Sequence, residues 1–344
     1  MNTISALLVF LASAVCSLCA APAIQPSVSQ PSVSVAPGDP GLRYIGRWDR
    51  SDPATFHSFW GGAYVRADFT GASVGVKLAG PQSLVAAVDG REPTAFYAQP
   101  GMTLFSNLGP GRHSLLVGAA GQNDELPFQG LVLDAGGATV PPPPARPLIE
   151  FVGDSITTGT GPPGMGTVNW AWNTAEALGC DHVQIAFSGV ALTSAFGCST
   201  KVGMDVQYFR LKNFNHAGDS PPVPWDFSYT PRVVVINLGQ NDQCGGEPDA
   251  TMTASYVRFV RGLRAKFPSA QIVALRPFGG PYEKAVRAAA RSLIAAGDAR
   301  VRYIDTTDWL ASADYGDGIH PNASGNLRIL GELAPLLRPL VGAR

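Results

Sequence analysis

Four short blocks of this chain carry the side chains that acyl transfer by a serine requires. In chain order they supply a serine, a glycine, an asparagine, and a histidine with an aspartate three residues before it: Ser155, Gly189, Asn241, and His320 with Asp317. A serine nucleophile needs an imidazole to take its proton, a carboxylate to orient that imidazole and N–H donors for the oxyanion. This inventory of groups predicts a serine esterase.

Each block also has a structural interpretation when it is taken alone. Ser155 is suited to capping the helix that follows it, Asn241 to a turn after a strand, and His320 to the start of a helix. Four ordered blocks that follow apolar runs favour catalysis over these alternatives. For the carboxylate that orients the histidine, Asp314 is an alternative to Asp317.

The composition is that of a globular protein without a strongly charged surface. The 344 residues are 45% hydrophobic, and 25 basic against 26 acidic side chains give a net charge of −1. This length favours two domains, and the charge balance offers no excess for nucleic acid or an anionic membrane. The five histidines show no close pairing with each other or with cysteine, so we predict no metal and no other cofactor.

Changes in residue pattern divide the chain into segments. An early apolar run followed by small residues is typical of a secretory signal, and no other segment is long and apolar enough to cross a bilayer. We therefore expect a secreted, extracellular protein. The predicted segments are a signal peptide at 1–23, a flexible Ser/Pro-rich leader at 24–40, a β-sandwich at 41–140, a proline-rich linker at 141–146 and a catalytic domain at 147–344.

The two predicted domains differ in periodicity. Between residues 44 and 140, short alternating runs separated by turn signals predict a β-sandwich. Beyond residue 147, apolar strands alternate with helical stretches, which predicts a three-layer α/β/α domain around a parallel sheet. Ser155, Gly189 and Asn241 each follow an apolar strand, so we expect them at the rim where the carboxyl ends of the strands meet.

The four blocks resemble those of the SGNH, or GDSL-type, hydrolases, which carry Ser, Gly, Asn and His in this order. The resemblance implies that His320 takes the proton of Ser155 and that Asp317 orients His320. It also implies an oxyanion hole made by the backbone N–H groups of Ser155 and Gly189 and the side-chain amide of Asn241. Two acidic neighbours are expected to be structural: Asp154 and Asp242.

A finer resemblance covers nearly the whole mature chain. Four stretches look like carbohydrate esterase family 2: residues 44–49, 69–74, 130–134 and 149–157. That family joins a jelly-roll β-sandwich to an SGNH domain with a flavodoxin-like parallel sheet, and it removes acetyl groups from polysaccharides such as xylan and glucomannan. Many members place the acidic residue closer to the histidine or lack it, whereas Asp317 has the spacing of the wider superfamily.

Two other functions stay open at this point. One is a GDSL lipase or lysophospholipase, which would need a long apolar acyl groove. The other is a carbohydrate-binding protein whose β-sandwich acts while the hydrolase domain is inert. We expect a monomer whose substrate is an acetylated carbohydrate or another small ester.

Tryptophans and cysteines of the catalytic domain give two further predictions. Trp172 and Trp225 lie near loops, where an exposed indole would line the cleft and stack on a sugar ring. Cys198 and Cys244 follow the glycine and asparagine blocks, so we predict a disulfide between them that leaves Cys180 as a buried thiol. The alternative is that all three cysteines are reduced and buried.

Overall fold

The predicted β-sandwich is present. The computed structural model describes residues 32–142, 144–160, 169–194, 200 and 202–342. Up to Val140, these residues form twelve strands: β1 Ser32–Val35, β2 Leu42–Ile45, β3 Asp49–Asp52, β4 Thr55–Ser58, β5 Tyr64–Thr70, β6 Val74–Leu78, β7 Gln82–Val88, β8 Thr94–Ala98, β9 Thr103–Phe105, β10 Arg112–Ala119, β11 Leu126–Asp134 and β12 Ala138–Val140.

The twelve strands form two antiparallel sheets. One sheet has the order β3-β4-β11-β6-β9, with β1 alongside β11, and the other has the order β12-β5-β10-β7-β8, with β2 alongside β5. Strand β5 shows how the pattern builds the sandwich, because Val65, Ala67 and Phe69 point into the core between the sheets. Tyr64, on the opposite face of β5, packs instead into the core of the catalytic domain. Both faces of this sheet are therefore buried at β5, one in the core of the β-sandwich and the other against the catalytic domain.

The prediction of a flexible leader is wrong for its last part. Residues Ser32–Val35 form strand β1, which pairs antiparallel with β11 from Ser32 opposite Asp134 to Val35 opposite Leu131. Serine and valine alternate here, a period-two pattern that the surrounding prolines and serines obscured. Of the four residues only Val35 is buried, as is typical of a strand at a sheet edge.

The second domain is the predicted α/β/α layer structure. Its parallel sheet has the order β14-β13-β15-β16-β17, the flavodoxin-like arrangement. The strands are β13 Leu148–Gly153, β14 Asp181–Ala186, β15 Val233–Asn237, β16 Gln271–Leu275 and β17 Val301–Ile304. The helices are α1 Ser155–Thr158, α2 Trp170–Ala177, α3 Met204–Gln207, α4 Asp249–Lys266, α5 Glu283–Ala295 and α6 Ala323–Val341.

Apolar side chains cover both faces of the parallel sheet. Tyr256 and Phe259 of α4 pack on one face, together with Leu293 of α5. Trp170 of α2 and Leu333 of α6 pack on the other. A sheet buried on both faces needs continuous apolar strands, which explains why the strand sequences lack alternation. Among the described residues, no helix has the length and apolar character that crossing a bilayer requires.

The β-sandwich and the catalytic domain share a core. Trp60 is 1% exposed, lies in the same apolar cluster as residues of the parallel sheet, and donates its indole N–H to the carbonyl of Leu211 at 2.8 Å. The fully buried Arg47 donates to the carbonyls of Tyr208 and Arg210. The two domains are therefore joined by packing and by directed hydrogen bonds.

Arg47 occupies an aromatic cage beside a buried carboxylate. Its guanidinium carbon lies 5.4 Å from the ring centroid of Trp60, 4.7 Å from that of Tyr208 and 5.5 Å from that of Trp225. Glu150 of β13 is also fully buried and accepts hydrogen bonds from the hydroxyl groups of Tyr208 and Tyr229. Burial raises the pKa of Glu150, and the charge of Arg47 opposes that rise.

Candidate active site

Ser155 lies at the turn between β13 and α1. Gly153 ends the strand, and a side chain there would lie 2.0 Å from the Thr157 hydroxyl oxygen and 2.9 Å from the Asn237 carbonyl oxygen, so only glycine fits. Asp154 is the N-cap of α1, and its Oδ1 accepts the backbone N–H of Ile156 at 3.0 Å. The expected structural role of Asp154 is therefore present.

A line of hydrogen bonds joins Ser155 to a histidine and an aspartate. His320 Nε2 lies 2.9 Å from Ser155 Oγ, and His320 Nδ1 lies 2.7 Å from Asp317 Oδ2. Both distances are within the range expected for a nucleophile, its base and the group that orients the base. This is the arrangement in which Nδ1 donates to the carboxylate and Nε2 accepts the serine proton.

Asp317 and His320 belong to one tight turn. Asp317 Oδ1 accepts the backbone N–H groups of Ile319 at 3.0 Å and of His320 at 2.8 Å. The backbone N–H and the ring of His320 hold the pKa of Asp317 well below its usual range. The carboxylate therefore stays ionised across the neutral range and is held in place, although its side chain is 55% exposed.

Asp314, the alternative carboxylate, has other partners. Its Oδ2 accepts the backbone N–H of Ala311 at 2.9 Å and pairs with Nε of Arg328 at 2.9 Å. Its Oδ1 accepts the hydroxyl of Ser324, also at 2.9 Å. These contacts give Asp314 a structural role in the turn that leads into α6.

The glycine and asparagine blocks lie beside Ser155 in the sheet. Ser155 follows β13, Gly189 follows β14 and Asn241 follows β15, and β14 and β15 are the two neighbours of β13. Gly189 has a φ of 76°, which favours glycine. The side-chain amide of Asn241 donates to the carbonyl of Val190 at 2.9 Å, so it is bonded to the Gly189 loop. Their role as oxyanion donors stays a prediction.

Asp242 binds the backbone that follows Gly189. Its carboxylate oxygens accept the backbone N–H groups of Leu192 at 2.9 Å and Thr193 at 3.2 Å. Burial raises the pKa of Asp242 to about 6. The expected structural role of this residue agrees with these contacts.

Two polar contacts near the glycine block were not anticipated from the sequence. Gln122, in the β10–β11 connection of the β-sandwich, accepts the backbone N–H of Ser188 at 2.6 Å. The hydroxyl of Ser188 also lies 2.7 Å from that of Thr160, which follows α1. A contact between residues 66 positions apart leaves no mark on local periodicity, so nothing in the sequence singled out Gln122.

The prediction that Trp172 or Trp225 presents an exposed indole is wrong. Each is only 6% exposed. Trp172 packs edge-on against His182, with ring centroids 4.2 Å apart, and Trp225 lies over Arg47. Both indoles cover the junction of the two domains, where apolar area is removed from water, instead of facing a sugar.

The cysteine predictions are tested only in part. Cys180 is a buried thiol whose Sγ lies 3.7 Å from the carbonyl oxygen of Leu178. Cys198 lies outside the described residues, so the Cys198–Cys244 disulfide stays a prediction. Where the structure describes the chain, no three His, Cys, Asp or Glu side chains form a group that could hold a metal ion.

Two family profiles match the chain. The profile of the GDSL-like lipase/acylhydrolase family matches residues 151–328, and the carbohydrate esterase 2 N-terminal profile matches residues 44–143. The first range covers the parallel sheet from the second half of β13 onward and the Ser155–His320 pair, and the second covers most of the β-sandwich. Each profile therefore corresponds to one domain.

Individual proteins are similar over both domains. The cellulase/esterase CelE of Acetivibrio thermocellus is 30% identical over 312 residues, which are 83% of this chain and 38% of CelE. The acetylxylan esterase/glucomannan deacetylase of Cellvibrio japonicus is 22% identical, over 68% of this chain and 72% of that protein. A family 2 carbohydrate esterase from Clostridium thermocellum, solved with cellohexaose, has a TM-score of 0.75 and 27% identity over 87% of this chain and 98% of its own.

Proposed function

Because the chain belongs to the GDSL-like lipase/acylhydrolase family, we propose that it is a serine esterase that removes acetyl groups from polysaccharides of the xylan or glucomannan type. The resemblance to SGNH hydrolases and to carbohydrate esterase family 2 is confirmed by the two profiles. The observation that carries the proposal is the line from Ser155 through His320 to Asp317, with distances of 2.9 and 2.7 Å.

The reaction follows from this geometry in two halves. His320 Nε2 takes the proton of Ser155 Oγ as the oxygen attacks the acetyl carbonyl, and the resulting oxyanion is bound by the predicted N–H donors. His320 then gives the proton to the leaving sugar hydroxyl, which leaves an acetyl group on Ser155. In the second half His320 takes a proton from water, whose oxygen attacks the acetyl-serine, and His320 then gives that proton to Ser155 Oγ as the bond to the acetyl group breaks. The acetic acid that is released ionises to acetate, and the free serine is restored. Asp317 stabilises the imidazolium in each half.

The proposed polysaccharide substrate rests on the presence of both matched domains in one chain. The matched β-sandwich profile is that of carbohydrate esterases, and the relatives named above carry esterase, deacetylase or cellulase in their names. The net charge of −1 suits a neutral polysaccharide better than an anionic lipid surface. The chain spans 38% of the length of CelE, so only the esterase part of that protein's name is relevant to the proposal.

The test is a rate series on p-nitrophenyl esters from acetate to palmitate, together with acetate release from acetylated xylan and glucomannan. We expect acetate to be preferred over butyrate and strongly over palmitate, and Ser155→Ala to be inactive. Ser73→Ala is the matched control, because Ser73 also follows a glycine by two positions but lies in the β-sandwich, in the sequence Gly-Ala-Ser-Val-Gly. It should keep full activity.

Three results would contradict the proposal in different ways. A preference for palmitate would identify a lipase. Normal turnover by Ser155→Ala would refute the mechanism. Binding of xylan by a wild-type protein that hydrolyses none of the esters would identify a carbohydrate-binding protein.

We also propose that the protein is secreted as a monomer. The apolar run and small residues within 1–23 support a cleaved signal, although these residues lie outside the described part of the chain. The intact mass of protein recovered from culture medium should begin at residue 24, and light scattering should give the mass of one chain. Retention of residues 1–23 would contradict secretion through this signal.

A further inference from the structure

The glycine block of the catalytic domain is contacted by a side chain of the other domain. Gln122 Oε1 accepts the backbone N–H of Ser188 at 2.6 Å, and Gln122 is only 8% exposed. Ser188 directly precedes Gly189, the predicted oxyanion donor. The β-sandwich therefore reaches the loop on which the esterase mechanism depends.

Gln122 is itself held in place by its surroundings. Its backbone carbonyl accepts the side-chain amide of Asn213 at 3.2 Å, and Asn213 is fully buried in the catalytic domain. Gly61 packs so closely against Gln122 that a side chain at position 61 would lie 2.6 Å from the Gln122 Cα. The acceptor oxygen is thus presented from a fixed backbone.

The Gly189 loop is bonded on both of its flanks. After the glycine, the carbonyl of Val190 accepts from the side chain of Asn241 at 2.9 Å. Before it, the N–H of Ser188 is bound by Gln122. Of these two bonds, only the one to Gln122 comes from outside the catalytic domain. Removing it would leave the N–H of Ser188 without this acceptor, while the contact of the Ser188 hydroxyl with Thr160 and the bond from Asn241 stay intact.

We propose that Gln122 is a positioning residue that orients the oxyanion-binding N–H of Gly189. The inference rests on the proposed esterase function. Donors in an oxyanion hole act because they are preorganised toward the charge that develops in the transition state. A shift of about 1 Å in a catalytic group costs on the order of a hundredfold in rate. Gln122 does not touch the substrate, so its loss should affect turnover and spare ground-state binding.

The test compares Gln122→Met, which keeps the length of the side chain and removes the acceptor, with Gln99→Met. Gln99 is an exposed glutamine of the same β-sandwich, outside the contacts just described. We expect Gln122→Met to lower kcat for p-nitrophenyl acetate by about ten- to a hundredfold with KM changed less than about twofold. Gln99→Met should change neither constant. A methylboronic acid, which forms a tetrahedral adduct with Ser155, should bind Gln122→Met more weakly by the same factor as the loss in kcat/KM.

A purely structural role for Gln122 would give a different result. It would lower the melting temperature and leave kcat and boronate affinity unchanged per folded molecule, and that outcome would overturn the inference. If Gln122→Met does not fold, Gln122→Asn serves instead, because its shorter side chain cannot reach Ser188. An active wild type with an equally active Gln122 variant refutes only this inference, whereas a wild type that hydrolyses no ester refutes the proposed function and this inference with it.

Discussion

Replacing Asp154 with asparagine should change how the stability of the protein depends on pH. Asp154 is fully buried, and its Oδ2 has no hydrogen-bond partner among the described residues. Burial raises the pKa of Asp154 from 3.8 to about 7, and the nearby carboxylate of Asp242 adds to this rise. Asparagine keeps the helix cap, because its side-chain oxygen can also accept the backbone N–H of Ile156. The substitution therefore removes the charge and leaves the hydrogen bond.

The size and sign of the effect follow from the two pKa values. A carboxyl whose pKa is higher in the folded state binds its proton more tightly there, so its contribution to stability is present below pH 3.8 and lost as the pH rises through about 7. The full shift in the pKa of Asp154 corresponds to about 4 kcal/mol in the free energy of unfolding, at about 1.4 kcal/mol for each pK unit. Between pH 5 and pH 8 about 3 kcal/mol of it is lost in the wild type. Asp154→Asn has no such loss.

Urea unfolding of both proteins at several pH values between 5 and 8 measures this difference. The stability of Asp154→Asn relative to the wild type should rise by about 3 kcal/mol across that range. Asp134→Asn is the control, because the backbone N–H groups of Ala72 and Ser73 lower the pKa of Asp134, which has no histidine partner, and its carboxylate stays ionised throughout the range. Its stability relative to the wild type should not vary with pH. A constant or falling relative stability of Asp154→Asn would falsify the assignment of a raised pKa to this carboxyl.

Four further outcomes are expected. Ser155→Ala and His320→Ala should each lower kcat for p-nitrophenyl acetate at least about a thousandfold, and the double variant should be little worse, because the two residues act as one unit; additive losses would contradict this. Asn241→Ala should lower kcat by about a hundred- to a thousandfold with little change in KM, and a pure KM effect would refute its oxyanion role. Arg47→Met should lower the free energy of unfolding in urea by about 3–5 kcal/mol, because it removes two hydrogen bonds from a buried guanidinium to carbonyls and the charge that opposes the desolvation of Glu150; an unchanged midpoint would show that the fold does not need this cation. Peptide mapping without reduction should find Cys198 linked to Cys244, and alkylation of both thiols would exclude the disulfide.

Much of the framework around the site could be predicted from the sequence, because local pattern determines it. Strands Gln271–Leu275 and Val301–Ile304 belong to the alternation of apolar strands and helices that the sequence predicts beyond residue 147, since short apolar runs between polar residues mark buried strands clearly. The bond between Ser155 and His320 was also expected from the motif blocks. The sequence therefore predicts the position of residues that lie in a clear local pattern or in one of the four ordered motif blocks.

The remainder depends on contacts between distant parts of the chain. The sequence does not predict strand β1, because a four-residue alternation among prolines is too short to recognise. The strand forms by pairing with β11, which is distant in the chain. The sequence predicts that Trp172 or Trp225 lines a cleft, yet each is buried at the junction of the domains. Sequence shows that an indole lies near a loop but does not show which surface covers it. Gln122 was missed for the same reason, because its importance lies wholly in its partner.

The base and its orienting carboxylate share one turn, whereas the nucleophile lies 165 residues earlier in the chain. Synthesis therefore delivers Ser155 long before His320, and the serine hydroxyl has no base until the turn with Asp317 and His320 has been made and has docked beside it. A chain that stops before His320 carries an unactivated serine. The appearance of esterase activity during refolding thus reports that the two ends of the catalytic domain have come together.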